Sequence, residues 1–368
     1  MKQRILLFGP RINNKKGSYG GGTGGFTRNM SAYLNFFKGE QFEIVPSFHT
    51  IRGASKLDFF VIRFFRDAFS FFADLISKKP HGVHILAQYR MAIPREFMVV
   101  IFSKLFGKPI LYEIKAGAFM NWYKSTNPIF RKMMDFVLSN SKVVLSEGIP
   151  YLSFLKDQFD IEAHYFPNYV PSNEVPEQVP NKLSEETIKL LFVGYAYKDK
   201  GVFELVEGCN RAAQNVKVEL TLIGKESEPF TEWLDKMTLN ESFKINRLGV
   251  KPHDFVLDYF NKVDVYCYPT RHGGEGHNNS INEAMMMGLV IITTRQGFLG
   301  TVLSDDRAYF LNEISPAEIS KTINQIHADR DGSQRKAINS RKHLIENFTS
   351  KIAYEKLNNH YKVLTAHE

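Results

Sequence analysis

Residues 268–294 read Tyr-Pro-Thr-Arg-His-Gly-Gly-Glu-Gly-His-Asn-Asn-Ser-Ile-Asn-Glu-Ala-Met-Met-Met-Gly-Leu-Val-Ile-Ile-Thr-Thr. An apolar run over 263–268 ends at Tyr268, and the Pro-, Gly- and Asn-rich stretch behind it reads as a loop. A helix begins near Ser280, Gly288 stops it, and a second β-branched run follows. Strand, loop, helix, glycine and strand in that order belong to a doubly wound α/β domain, with the loop at the carboxyl end of the sheet. Glu275 falls in the loop and Glu283 in the first helical turn. Ser280 and Glu283 have capping-box spacing, so Glu283 has a structural reading beside any chemical one. Capping does not explain Glu275, whose neighbours Gly273, Gly274 and Gly276 tolerate unusual backbone angles. The amides of Asn279, Ser280 and Ile281 are expected to be unpaired at the positive helix end, where they make an anion site.

The same alternation extends outward in both directions. Strand-like runs at 4–8, 83–87, 109–114 and 142–146 alternate with amphipathic stretches at 26–37, 94–106 and 128–138. The pattern lapses between 167 and 186, where Pro171, Pro176 and Pro180 disfavour helix and remove sheet donors. It restarts with strands at 188–194, 216–224, 243–248 and 263–268, and helical patterns at 316–326, 334–347 and 351–363 close the chain without another evident strand. The expectation is an α/β protein of two doubly wound, Rossmann-like domains facing a cleft that holds the active site. Their bounds are 1–170 and 187–347, with a linker at 171–186 and a C-terminal helix at 348–368 that packs back on the first domain.

At 368 residues, with 43% apolar and 23% charged side chains, the chain is too long for one core. Its longest apolar run, 284–292, is half of what a membrane span needs. The start reads as a core strand, since 5–8 is shorter than a secretory apolar region. Cys209 and Cys267 are the only cysteines, which excludes a disulfide framework and suits a reducing cytoplasm. Residues 1–180 carry 23 Lys and Arg against 14 Asp and Glu, so the basic excess lies wholly in the first half. That sign suits a phosphorylated ligand or an anionic membrane surface, and no nucleic-acid-binding signature accompanies it. The Phe-rich residues 57–77 place Arg63, Arg66, Asp67, Ser70, Asp74 and Ser77 on one stripe. Packing of their broad apolar side into the first core is the favoured reading, and insertion into a lipid interface the alternative.

Gly20, Gly22 and Gly25 match GxGxxG, but about ten residues separate them from the first strand, so a dinucleotide site is not indicated. A backbone surface for a phosphate at the helix start is the functional reading. His81 and His84 read as structural. Asp329-Arg-Asp331 lies between helical patterns and supports no metal site.

Together, Glu275, Gly276, Glu283-Ala-Met285 and Gly288 resemble the retaining GT-B glycosyltransferases of family 4. The local Pro269-Thr270 and Gly274-Glu275-Gly276 are similar to the branch that builds bacterial capsule and O-antigen polysaccharides. Leu191-Phe-Val-Gly-Tyr-Ala-Tyr-Lys-Asp-Lys-Gly201 resembles the family's Phe-Val-Gly-Arg loop ending in Lys-Gly. The resemblance implies a GT-B fold, an acceptor-binding first domain and a nucleotide-sugar-binding second domain. It implies catalytic roles for Glu275, beside the donor sugar, and for Lys200, on the donor diphosphate. Lys115 is the nearest equivalent of a family histidine near the reacting sugar. It implies donor contacts at Gly22, Gly194, Lys198, Val250, Gly276, His277, Asn278, Asn279, Ser280, Ile281 and Glu283, the last on the ribose. Gly249, Val250 and Lys251 fall on the loop that reads the base, and Pro167-Asn168 on the family's Pro-Asn. Tyr195 replaces the usual arginine, and Lys198, Arg28 or Lys115 are the substitutes in view. His277 has a packing reading beside the chemical one.

The expected partners are a nucleoside diphosphate sugar donor, a lipid-diphosphate-linked glycan acceptor and an anionic membrane surface, with no nucleic acid. No metal or other cofactor is expected, and the location expected is cytoplasmic, peripheral at the inner membrane face. The rival readings are a GT-B sugar-nucleotide epimerase and a catalytically silent carbohydrate-binding subunit.

Overall fold

The computed structural model describes residues 2–11, 22–37, 41–49, 59–180, 182–183 and 186–366, with side chains from residue 29 in the first helix. The chain divides into two compact units, Met1–Pro167 with Tyr354–Glu368, and Asn168–Ala353.

The first unit runs β1 (Gln3–Pro10), α1 (Gly22–Phe36), β2 (Phe42–His49), α2 (Phe60–Lys78), β3 (Gly82–Ala87), α3 (Ile93–Leu105), β4 (Ile110–Ile114), α4 (Phe119–Ser125), α5 (Pro128–Ser139), β5 (Val143–Ser146), α6 (Pro150–Phe159) and β6 (His164–Tyr165). The strands are all parallel, in the order β2-β1-β3-β4-β5-β6. Ile5, Leu6, Leu7 and Phe8 are fully buried on alternating faces, as a central parallel strand covered by helices on both sides requires. α5 starts where it does because Asn127 accepts from the Phe130 amide and Pro128 occupies the first turn.

The second unit runs β7 (Ile188–Val193), α7 (Val202–Ala212), β8 (Val218–Ile223), α8 (Glu228–Leu234), β9 (Phe243–Gly249), α9 (His253–Phe260), β10 (Val265–Tyr268), α10 (Asn279–Met286), β11 (Val290–Thr293), α11 (Leu299–Val302), β12 (Tyr309–Phe310), α12 (Pro316–Ala328) and α13 (Arg330–Asn347). Its parallel sheet has the order β12-β11-β10-β7-β8-β9, the doubly wound dinucleotide-fold order counted from the other edge. α14 (Ser350–Thr365) closes the chain.

Several expectations change. β2, β6 and β12 were not legible as strands, and each is an edge strand. β2 tolerates Pro46 because an edge strand needs donors on one side only. Of the expected linker 171–186, the described residues are no free linker but pack within the second unit. The Leu183 amide donates to Asp264 Oδ1 (3.1 Å), Lys182 Nζ donates to the carbonyls of Phe260 and Asn261, and Arg341 donates to the Pro176 carbonyl. The unit boundary therefore falls between Pro167 and Asn168, and on return at Tyr354 within α14. From there α14 packs on the first unit, the Tyr354 ring 5.0 Å from Phe37 and Tyr361 bonded to His84.

The favoured packing of the Phe-rich segment into the first core holds for one side of the helix only. α2 turns Ala68, Phe71 and Leu75 inward, but Phe59 is 63%, Phe65 52% and Phe69 66% exposed. Asp67, expected on a polar outer stripe, is instead buried and paired with Arg95 at 3.3 Å. Asp329 is the N-cap of α13, accepting from the Gly332 amide. His81 accepts the Arg4 amide.

Candidate active site

In the second sheet the strand order reverses between β7 and β10. Loops leaving the carboxyl ends of strands diverge at such a point and open a crevice. After β7 come Gly194, Tyr195, a single 3-10 turn at Lys198–Lys200, and Gly201 at the entry to α7. A Cβ on Gly201, whose φ is 65°, would lie 2.1 Å from the Pro269 carbonyl, so only glycine lets the two loops touch. Arg271 fastens them further. Its amide donates to the Asp199 carbonyl (2.8 Å) and its guanidinium to the Lys198 carbonyl and Glu204.

This contact sets Lys200 beside Glu275. Lys200 Nζ lies 2.6 Å from Glu275 Oε2 and 2.7 Å from the Tyr268 hydroxyl. Tyr268 (3.2 Å) and Thr270 (3.3 Å) also donate to Oε2, and Asn278 Nδ2 donates to Oε1 at 2.9 Å. Glu275 is 6% exposed. A carboxylate so far from water needs a cation and several donors around it to offset its burial. Burial, then the Glu275 charge, holds the Tyr268 phenol well above its usual range and keeps it a donor. The left-handed residue that accommodates this loop is Gly297, where a Cβ would meet the Glu275 carbonyl at 2.0 Å. Gly273, Gly274 and Gly276 are not among the positive-φ residues, which corrects the role expected of them.

The capping box is also corrected. Asn278 is the N-cap of α10, and its Oδ1 accepts from the amides of Ser280 (2.8 Å) and Ile281 (3.3 Å). Two of the three amides expected as an anion site are thus taken by the cap, and only that of Asn279 is not. Released from capping, Glu283 accepts from His253 Nε2 at 3.0 Å, a partner from α9 that the sequence did not reveal. Ser280 bonds the Tyr266 hydroxyl at 2.6 Å. Tyr266, Tyr268 and Thr270 alternate with period two, the one sequence signal that tied Tyr268 and Thr270 to this side of the sheet.

His277 makes packing contacts. It is 2% exposed, donates through Nε2 to Asn282 Oδ1 (2.9 Å) and sets its ring 4.8 Å from Phe348. Asn168 donates to its carbonyl (2.6 Å) and accepts from Asn282, which accounts for the Pro-Asn as a strut of the loop.

The remaining expected residues are distributed over both units. Gly194 begins the β7 loop, Gly276 follows Glu275, and Lys198 is exposed. Tyr195 is exposed, with Lys225 Nζ 5.7 Å above its ring, so a cation not considered from sequence stands beside the position of the missing arginine. Val250 lines a groove with Gly224, Lys225, Glu226, Arg247 and Gly249. In the first unit, Gly22 opens α1; Gly20 and the Arg28 side chain lie outside the described residues.

Lys115 is buried and paired with Glu113 Oε1 at 3.0 Å. Glu113 also accepts from Tyr33 (2.9 Å) and from His84 Nε2 (2.9 Å). Burial works to raise the Glu113 pKa, but Lys115 and His84 prevail and lower it to about 2. Lys115 is thus held in a buried ion pair within the first unit. Among the described residues, no three His, Cys, Asp or Glu side chains are grouped as metal ligands.

The two-sheet architecture is that of the GT-B proteins. Sucrose-phosphate synthase from Thermosynechococcus elongatus superposes with a TM-score of 0.74 over 99% of each chain at 15% identity. Anabaena HepE, in complex with UDP and glucose, does so with a TM-score of 0.66 over 98% of this chain and 99% of that one, at 11% identity. Residues 187–329 match the family model described as Glycosyl transferases group 1, a span that contains Lys200, Glu275 and Glu283. The capsular polysaccharide biosynthesis glycosyltransferase CapM of Staphylococcus aureus is 27% identical over 191 residues, 49% of this chain and 49% of that protein. The chain thus matches about half the length of this curated relative.

Proposed function

We propose that this protein is a retaining glycosyltransferase of family 4 type. On this reading it moves a hexose-type sugar from a nucleoside diphosphate sugar to a hydroxyl of a lipid-diphosphate-linked glycan during capsular or O-antigen polysaccharide assembly. The observation that carries the reading is the Lys200, Tyr268 and Glu275 cluster at the switch point of the second sheet, inside the span matched by the family model. CapM, named for capsular biosynthesis, supports the pathway class, and the UDP and glucose of the HepE complex support the donor class.

The bond from the anomeric carbon to the β-phosphate oxygen breaks, and a bond to the acceptor oxygen forms on the same face. The leaving phosphate accepts the acceptor proton, so no separate base is required. Lys200 and the positive end of α10 stabilise the charge that develops on the phosphate, a role that on this reading needs no metal ion. Glu283, oriented by His253, receives the ribose hydroxyls. The basic excess of the first half supports work at an anionic, cytoplasmic membrane face. Among the described residues, no helix is long and apolar enough to cross a membrane.

The test is a thermal-shift screen of nucleotide sugars, followed by transfer of the stabilising donor to lipid-linked glycan acceptors, with and without EDTA. Release of nucleoside diphosphate and an α-linked product from an α-linked donor are expected in both conditions. No release with any donor, an inverted product, or loss in EDTA restored by Mg²⁺ removes transfer, retention or metal independence respectively.

A further inference from the structure

α2 shows an apolar face that packing leaves uncovered. Its inner stripe is Ala68, Phe71 and Leu75, whereas Ile62, Phe65, Phe69 and Ile76 recur at helical spacing on the outside, with Phe59 and Val61 at the start. Phe65 and Phe69 stack with ring centroids 6.4 Å apart. The patch continues onto the end of α3: Phe72 meets Phe102 at 5.3 Å and Phe106 at 5.6 Å, and Leu105 and Phe106 are exposed beside it. A contiguous exposed patch of this kind marks an interaction surface rather than chance exposure.

Among the described residues of α2, α3 and the turns that end them, the exposed charges are Arg66, Lys79 and Lys104, all cations; Lys104 turns toward α5, where it donates to Asn140. The two carboxylates of α2 are already satisfied: Asp67 pairs with Arg95 at 3.3 Å and Asp74 with Lys78 at 2.7 Å. A second copy of the chain would bring cations against cations around its apolar contact. An anionic headgroup layer complements the cations and also receives the phenylalanines, which carry no group needing a hydrogen bond.

We propose that α2 is a membrane-docking element that lies in the plane of an anionic bilayer, with Phe65 and Phe69 inserted at the boundary of headgroups and acyl chains. Arg66 and Lys79 contact lipid phosphates. The inference specifies the membrane contact in the reading above, but vesicle binding is measured without sugar transfer, so failure of either is seen separately.

The experiment uses the full chain with vesicles of phosphatidylglycerol and phosphatidylethanolamine, and with phosphatidylcholine vesicles, at low and high salt. The wild type is expected to sediment with the anionic vesicles, more weakly as salt rises. Phe65→Ser/Phe69→Ser is expected to bind at least about tenfold more weakly, from the lost apolar transfer of two rings, with its melting curve unchanged. Phe65→Trp keeps the face apolar, and its emission should shift to the blue with anionic vesicles and be quenched by brominated lipid. The proposal is overturned if the wild type ignores both vesicle types, if the double variant binds like the wild type, or if the indole stays in water. It is equally overturned if the serines abolish a vesicle-free dimer, which would assign the face to a second copy.

Discussion

Lys200 and Glu275 are 75 residues apart in the chain and 2.6 Å apart in the structure. The pair is nearly dry, and removal of one partner from such a pair strands the other charge at a cost of about 3–5 kcal/mol. Lys200→Ala should therefore lower stability to denaturant as well as transition-state stabilisation, the latter by about 2–4 kcal/mol. Adding Glu275→Gln should restore most of the stability but none of the activity. A double variant no more stable than Lys200→Ala would show that the pair does not govern folding. Glu283 is different, because His253 holds it and it stands apart from Lys200. On the proposed reaction its ribose contacts persist from ground state to transition state, while contacts of Glu275 to the transferring sugar tighten. Glu283→Ala should mainly raise the donor KM and Glu275→Ala mainly lower kcat. Wild-type donor affinity in Glu283→Ala would remove the ribose assignment.

At the scale of elements, α10 begins with a residue that serves two structures. Asn278 Oδ1 caps the helix while its Nδ2 donates to Glu275. Asn278→Ala should cost about 1 kcal/mol for the lost cap and also loosen Glu275. Asn278→Asp retains a capping oxygen but turns a second carboxylate toward Glu275, so it should keep more helix stability than alanine while still impairing turnover. Denaturant midpoints and kcat for both variants check this; equal loss of stability in the two would place the effect outside the cap. α2 carries the complementary lesson. Its periodicity identifies a helix, but a helix rich in phenylalanine on most sides does not declare which side the core takes.

For the molecule as a whole, acid should act on the first unit through the groups that α14 brings against it. Tyr361 bonds His84 at 2.8 Å, and His84 bonds Glu113. His360, on the same helix, is lowered to about 4 by burial and by nearby His164 and Lys356. Both folded pKa values lie below the unfolded ones, so both groups favour the folded state above their unfolded pKa and lose that contribution as pH falls. His360 loses it between about 6.5 and 4, and Glu113 between about 4.5 and 2. The two tryptophans, Trp122 in α4 and Trp233 in α8, lie in separate units. With Trp233→Phe, the emission of Trp122 should report acid unfolding of the first unit. Glu113→Gln should flatten the lower part of that profile, and an unchanged pH dependence would count against the Glu113 network as its source.

Residue order alone determined the features that depend on near neighbours: alternating strands and helices, a loop glutamate before a helix, and a Lys-Gly at the end of another loop. These persist because strand and helix periods and glycine turns are written within a dozen residues. The tertiary structure decided which distant groups complete them. It gave Lys200 to Glu275, His253 to Glu283 and Asn168 to the carbonyl of His277, and it claimed Lys115 for a buried pair with Glu113. It folded the described residues of segment 171–186 onto the second unit, used Pro46 in an edge strand and turned Phe65 and Phe69 of α2 outward. Each of these depends on partners far apart in the chain, whose proximity is set by strand order and by competition for limited core space, and local sequence does not encode that competition.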